Sequence, residues 1–167
     1  MRCGLGPGAP ESRLRSGCRL TVTIRETAGQ AELDAAWKLR VKVFCDEQGV
    51  TPPDELDEHE ATATQIVAVD ETGVVATCRL RWTGCDRKLE RMAVERRLRS
   101  LGVGSRLLAW AEELARSEGA ERMVLHAQTR ARGFYAAKGY QPEGGLFMEA
   151  GIEHVRMTKP LSVAAGA

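Results

Sequence analysis

The sequence predicts an α/β (α+β) fold, a mixed twisted sheet with helices on both faces. Two observations predict it. Stretches that alternate apolar and polar residues take turns along the chain with stretches whose apolar residues recur every three or four positions. In addition, a glycine loop, Arg99-Ser100-Leu101-Gly102-Val103-Gly104, joins the apolar run Met92-Ala93-Val94 to an amphipathic segment that reads as a helix.

Each element has its own local reason. Leu20 to Arg25 alternates as a strand does. Ala31 to Asp46 carries Leu33, Trp37, Val41, Phe44 and Cys45 on one helical face, and Pro52 and Pro53 end that helix in a polar loop. Gln65 to Val69 and Val74 to Trp82 read as a hairpin turned at Glu71-Thr72-Gly73, with Lys88 to Val94 as the next strand. A helix from Val103 to Ser117 stops at Gly119. Strand Arg122 to His126, helix Thr129 to Lys138 and a closing pair, Leu146 to Glu149 and Glu153 to Thr158, complete the order. Trp82 and Trp110 fall on apolar-periodic positions and are assigned to the core.

Residues 20–160 thus form one catalytic-sized domain. Residues 1–19, rich in Gly, Pro, Ser and Arg without periodicity, read as a disordered extension, and an over-called translation start would also account for them. The Ala/Gly-rich residues 161–167 read as a flexible tail. At 167 residues, 43% hydrophobic, the chain can bury a core without disulfides or metal.

A net charge of +1 excludes a strongly basic nucleic-acid footprint, and no apolar run approaches the ~20 residues that span a bilayer. The five cysteines (Cys3, Cys18, Cys45, Cys78, Cys85) form no Cys-x-x-Cys pair, and their odd number rules out a complete disulfide framework. A cytoplasmic location is the corresponding expectation. No secretory leader is expected either, because the N-terminal stretch lacks an apolar h-region.

The glycine loop suits a pyrophosphate. A helix start leaves backbone N–H groups unpaired and carries partial positive charge, and glycines let phosphate oxygens approach. Arg99 adds a fork of charge-assisted donors. A tight turn before a surface helix would use the same residues, so the loop alone decides nothing. About thirty residues on stands Gln128-Thr-Arg-Ala131-Arg-Gly-Phe134-Tyr135-Ala-Ala-Lys-Gly139-Tyr140.

Both motifs, in this order and at this separation, resemble the GCN5-related N-acetyltransferases, whose Arg-x-x-Gly-x-Gly loop is followed by a Phe-Tyr-x-x-x-Gly-Phe/Tyr motif. The stretches Leu39 to Val50 and Phe147 to Met157 resemble the narrower ElaA/YjcF-like branch. The resemblance implies the acyl-CoA N-acyltransferase fold, with the strands ending at Val94 and His126 splayed apart to admit coenzyme A.

It implies the following roles. Met92, Ala93 and Val94 pair with the pantetheine arm as an extra strand would, and Leu101, Gly102, Val103, Gly104 and Ser105 offer amides to the pyrophosphate beside Arg99. The Val94 or Met92 amide polarises the thioester carbonyl. Tyr135, at the tyrosine position of its motif, protonates the leaving thiolate and so belongs to both the catalytic and the cofactor set. Gln128 stands where the family often has Asn and reaches the pantetheine arm. No cysteine lies in either motif, so a covalent acyl-enzyme is not required.

The general base stays open among Glu47, His126, Glu149 and His154; Glu149 and His154, flanking Gly151, match the narrower branch and are favoured as acceptor-site residues. His126 would equally serve as a structural histidine. The acidic run Asp46, Glu47, Asp54, Glu55, Asp57, Glu58 and Glu60, with His59, is a solvated loop, a steering field for a cationic amine, or, with no diagnostic ligand spacing, a metal site. Arg96, Arg97, Arg106, Arg130 and Arg132 are candidates for coenzyme phosphates.

The expected activity is direct transfer of acetyl from acetyl-CoA to a primary amine of a small molecule in a ternary complex, with no metal, nucleic-acid or membrane partner and a homodimer left open. The alternatives are a non-catalytic acyl-CoA-binding sensor and an acyl-homoserine-lactone synthase-like enzyme. The Arg40-Val-Lys-Val43-Phe44 stretch also fits the latter.

Overall fold

The computed structural model describes residues 20–51 and 57–161. The expectations for residues 1–19, Pro52 to Glu55 and 162–167 lie outside them. Seven strands form one sheet: β1 (Thr23–Glu26), β2 (Thr64–Asp70), β3 (Gly73–Thr83), β4 (Asp86–Val94), β5 (Arg122–Gln128), β6 (Gln141–Glu149) and β7 (Ile152–Pro160). Their spatial order is β1-β2-β3-β4-β5-β7-β6, and every neighbouring pair is antiparallel except β4 and β5. Helix α1 (Gln30–Arg40) packs on β3 and β4, and α2 (Val103–Ser117) on the same strands from the other face. A short α3 (Arg132–Ala136) follows β5.

The two faces differ in chemistry. On the α2 face, Ala76, Cys78, Leu80, Leu89, Met123, Leu125, Ala127, Val155 and Met157 form a continuous apolar core with Leu107, Leu108, Ala111 and Tyr140. On the α1 face, β3 presents Thr77, Arg79 and Arg81, paired in register with Ala93, Glu90 and Lys88 of β4. Ala93 there meets an apolar patch made by Leu39 and Val43, with Phe44 and Val74 packed against it.

Arg79, 1% exposed, binds Glu90 through Nε at 3.0 Å, Asp57 through both terminal nitrogens, and Glu60 at 2.5 Å. Arg40 also grips Glu60, at 2.6 Å. The hydrogen bond from Arg79 holds the Asp57 carboxyl down to about 2, and Glu90, despite the opposing effect of burial, is held to about 2 by Lys88 and the arginines. The described acidic residues Asp57 and Glu60 therefore neutralise buried arginines. These two carboxylates, already paired, add little to a long-range potential, while Glu58 of the same run is solvated.

Several boundaries differ from expectation. The first helix ends at Arg40 and widens into a π-helical turn, Val41–Glu47. The helix expected over Thr129–Lys138 is a 3₁₀ turn, Thr129–Ala131, followed by only five α-helical residues. β6 starts at Gln141, five residues early, because Pro142 and the bulge residues Glu143 to Gly145 can be carried on an edge strand. Trp82 is 47% exposed rather than in the core, its ring lying under the Arg87 guanidinium at 4.8 Å, whereas Trp110 does pack against the core. Leu161, placed at the start of the tail, is buried, and its N–H donates to the Glu121 carbonyl. Among the described residues no helix is long and apolar enough to cross a membrane.

Candidate active site

The sheet opens at its centre. β4 and β5 are in register only at Arg87/Met123, Lys88/Val124 and Leu89/Leu125; beyond Leu89, β4 continues to Val94 and β5 to Gln128 without pairing to each other. The cause is a bulge. Between Glu90, opposite Arg79, and Ala93, opposite Thr77, β4 holds two residues against the single Cys78 of β3. The extra residue is taken up at Arg91, whose φ of +55° is left-handed, and the strand bends away from β5. Met92, Ala93 and Val94 lie along this unpaired edge, as the resemblance implied.

The glycine loop stands at the open end. Gly102 adopts φ +84°, a conformation costly for any residue with a Cβ, and caps α2 with no side-chain hydrogen bond. The first intrahelical bond is Arg106 N–H to the Gly102 carbonyl, so the amides of Val103, Gly104 and Ser105 have no acceptor within the helix. These groups fit a pyrophosphate. Leu101 fits less well, because its N–H already points at the Leu98 carbonyl at 3.4 Å.

Arg99 is committed to the protein, donating from Nε to the Val94 carbonyl at 3.0 Å and clasping Glu47 at 2.7 Å. Arg97 and Arg106 are also spent, on Asp70 and on the Val22 carbonyl, each at 2.8 Å. Gln128 donates to Gln48 at 2.7 Å and accepts from Arg130 at 2.8 Å.

Tyr135 reaches the opening from the α2 face. It is 8% exposed, its hydroxyl donates to the Met92 sulfur at 3.7 Å, and its ring meets Phe134 and Tyr140 edge-on. Burial pushes the phenol above its usual range, with Cys78 contributing, so Tyr135 stays a proton donor through the physiological range.

The α1 face brings together three of the four base candidates. In the β5–β7–β6 register Gln128 lies opposite His154, His154 opposite Phe147, and His126 opposite Arg156, all on one face. His126 Nδ1 lies 3.1 Å from Glu149 Oε2, with Phe147 edge-on to its ring at 4.9 Å. A carboxylate beside Nδ1 selects the tautomer that donates there and leaves Nε2 with a free lone pair. The hydrogen bond from His126 holds the Glu149 carboxyl below the usual range, against the effect of burial.

His154 stacks on Phe147, and its Nδ1 donates to the Ile152 carbonyl at 2.7 Å. Glu47 lies apart from this trio, on Arg99. The sequence could not single out His126, because the pairing depends on β7 inserting between β5 and β6, an order that local periodicity does not contain.

Comparison with known proteins agrees with this geometry. The family model described as an acetyltransferase (GNAT) domain matches residues 32–161. The chain is 38% identical over 144 residues to the uncharacterized protein YyaT of Bacillus subtilis (strain 168), covering 84% of this chain and 97% of that one. It is 37% identical over 131 residues to the uncharacterized N-acetyltransferase YjcF of the same organism, covering 78% and 94%.

The crystal structure of Escherichia coli ElaA superposes with a TM-score of 0.75 at 23% identity over 83% of this chain and 99% of ElaA, which shows the shared fold. Acetyl-CoA is the acetyl donor of this family, and the open edge of β4 with the uncapped helix behind it has the donors such a molecule needs. The chain belongs to the GNAT acetyltransferases, with YjcF among its relatives.

Proposed function

We propose that the enzyme transfers acetyl directly from acetyl-CoA to a primary amine of a small molecule in a ternary complex, with His126 as general base and Tyr135 as general acid. One observation carries this reading. The gap between β4 and β5 has a buried phenol on its α2 side and a carboxylate-oriented imidazole on its α1 side. Transfer of an acyl group to an ammonium needs one proton removed before the amine attacks, a second lost from the nitrogen as the tetrahedral adduct collapses, and one delivered to the departing thiolate; the proposed base and acid stand on opposite sides of the gap between β4 and β5.

The bound cosubstrate supplies the activated acyl group. The chain supplies the rest: Met92 to Val94 align the thioester along the edge, the amides of Val103 to Ser105 hold its phosphates, and a β4 amide polarises the carbonyl. Glu149 and His154 orient the acceptor side. The two nearby imidazoles and the aromatic Phe147 favour a compact acceptor over a long extended one.

Incubation with acetyl-CoA and a pooled set of amines, polyamines, amino sugars and peptides, read by mass spectrometry, tests the proposal. Acetylated small amines are expected. Tight coenzyme A binding with no product on any amine would instead favour a sensor, and lactone formation from an acyl donor would favour a synthase.

A further inference from the structure

Two of the side chains assigned to the cofactor outside the helix start, Arg99 and Gln128, are held by the consecutive residues Glu47 and Gln48. Glu47 and Gln48, where the π-helical turn ends, reach to opposite sides of the open gap: Glu47 to Arg99, five residues beyond the end of β4, at 2.7 Å, and Gln48 to Gln128 at the end of β5, at 2.7 Å. Arg99 is also tied to the Val94 carbonyl, the last residue of the unpaired edge. The turn therefore forms a clasp across the passage, on the α1 side.

The geometry points to Glu47 as the binding residue for the acceptor's ammonium group, closed by Arg99 until a pyrophosphate takes the guanidinium away. This rests on the proposed function, since it requires Arg99 to hold the pyrophosphate. A diphosphate carries more charge than one carboxylate and offers Arg99 a bidentate partner, and the pair it must displace is partly exposed, with Arg99 at 38% and Glu47 at 27%.

Once Arg99 leaves, Glu47 keeps only the more distant charges of Lys42 and Arg96, and Lys42 is itself held by Glu95 at 2.8 Å. Its carboxylate is then open at the mouth. There it lies one residue from Gln48, whose partner Gln128 is in register with His154 of the acceptor face. An incoming primary ammonium would meet this carboxylate, and its affinity would depend on the cofactor being in place.

Glu47 then opposes cofactor binding and promotes acceptor binding, two effects of opposite sign from one residue. Calorimetry with coenzyme A on the wild type, Glu47→Gln, Arg99→Gln and the double variant tests the first. Glu47→Gln should bind coenzyme A about 2- to 5-fold more tightly, the range for freeing an arginine from an exposed pair, and this gain should vanish in the Arg99→Gln background. Amide NMR with n-butylamine, a bare primary ammonium, tests the second: shifts near Gln48 and His154 should saturate in the coenzyme A complex and be lost both without coenzyme A and in the Glu47→Gln complex.

Unchanged coenzyme A affinity in Arg99→Gln would remove the pyrophosphate reading itself. Weakened binding in Arg99→Gln with no gain in Glu47→Gln would overturn the clasp alone. Equal n-butylamine shifts in the wild-type and Glu47→Gln complexes, or none in either, would overturn the ammonium site.

Discussion

Replacing Arg79 by methionine tests whether the charged α1 face is a structural unit. The substitution keeps an unbranched apolar stem and removes the cation beneath three carboxylates. Glu90 would retain Lys88 at 2.9 Å and Arg81 at 3.1 Å, and Glu60 would retain Arg40 at 2.6 Å, while Asp57 would retain Arg91 at 3.4 Å. Breaking a buried ion pair costs about 3–5 kcal/mol. These remaining cations, with Asp57 at 31% exposure and open to water, place the loss at the lower end, about 3 kcal/mol, a large share of the ~5–15 kcal/mol typical of a domain.

The pH dependence carries a sign. Asp57 and Glu90 are held to about 2 in the folded protein, below their unfolded values of about 4, so their contribution is complete above about pH 5 and lost as pH falls toward 2. Arg79→Met weakens that depression. Urea unfolding of both proteins from pH 7 to pH 3 should therefore show a gap that narrows as the pH falls. A gap below about 1 kcal/mol at pH 7, or one that does not change with pH, would refute the reasoning.

Tyr135→Phe keeps the edge-on ring contacts and should lower kcat by about 10²- to 10⁴-fold while leaving acetyl-CoA affinity within a few-fold, measured by steady-state kinetics and calorimetry. His126→Asn should lower kcat on a similar scale and abolish the acid-side fall in rate that a base produces, whereas Glu149→Gln, which leaves the imidazole in place, should cost less; equal pH–rate profiles in His126→Asn and wild type would exclude His126 as base. Gly102→Asp puts a carboxylate at the phosphate loop and should abolish measurable coenzyme A binding. Gly102→Ala, with open space around the new Cβ but φ +84°, should cost about 1 kcal/mol of stability and bind with modest loss.

The elements that sequence periodicity located well are those where local preference and burial agree. Val103 to Ser117 is bounded as expected, because its apolar stripe of Val103, Leu107, Leu108 and Ala111 faces a core built to receive it. The turn after Arg40 was not legible, since a 3.6-residue pattern cannot distinguish an α-helix from the wider π turn that continues it. The candidate cofactor residues could be picked out because they are local in sequence: glycines, a helix start, an aromatic pair. The acceptor half was only partly so. Glu149 and His154 could be picked from the closing hairpin, but the partnership of Glu149 with His126 and of Glu47 with Arg99 spans 23 and 52 residues and follows from topology alone.

The bulge at Arg91 gives the protein an edge of an unusual kind. A strand at the rim of a sheet, such as β1 or β6, can recruit any neighbouring chain that offers matching backbone groups, with aggregation as the hazard. The unpaired run of β4 lies in the interior of the sheet, with Leu39 and Val43 against Ala93 on one face and the α2 core against Met92 and Val94 on the other. A slender chain carrying amide groups suits such an edge, so a single inserted residue bears on both the unpaired backbone and the kind of molecule that can pair with it.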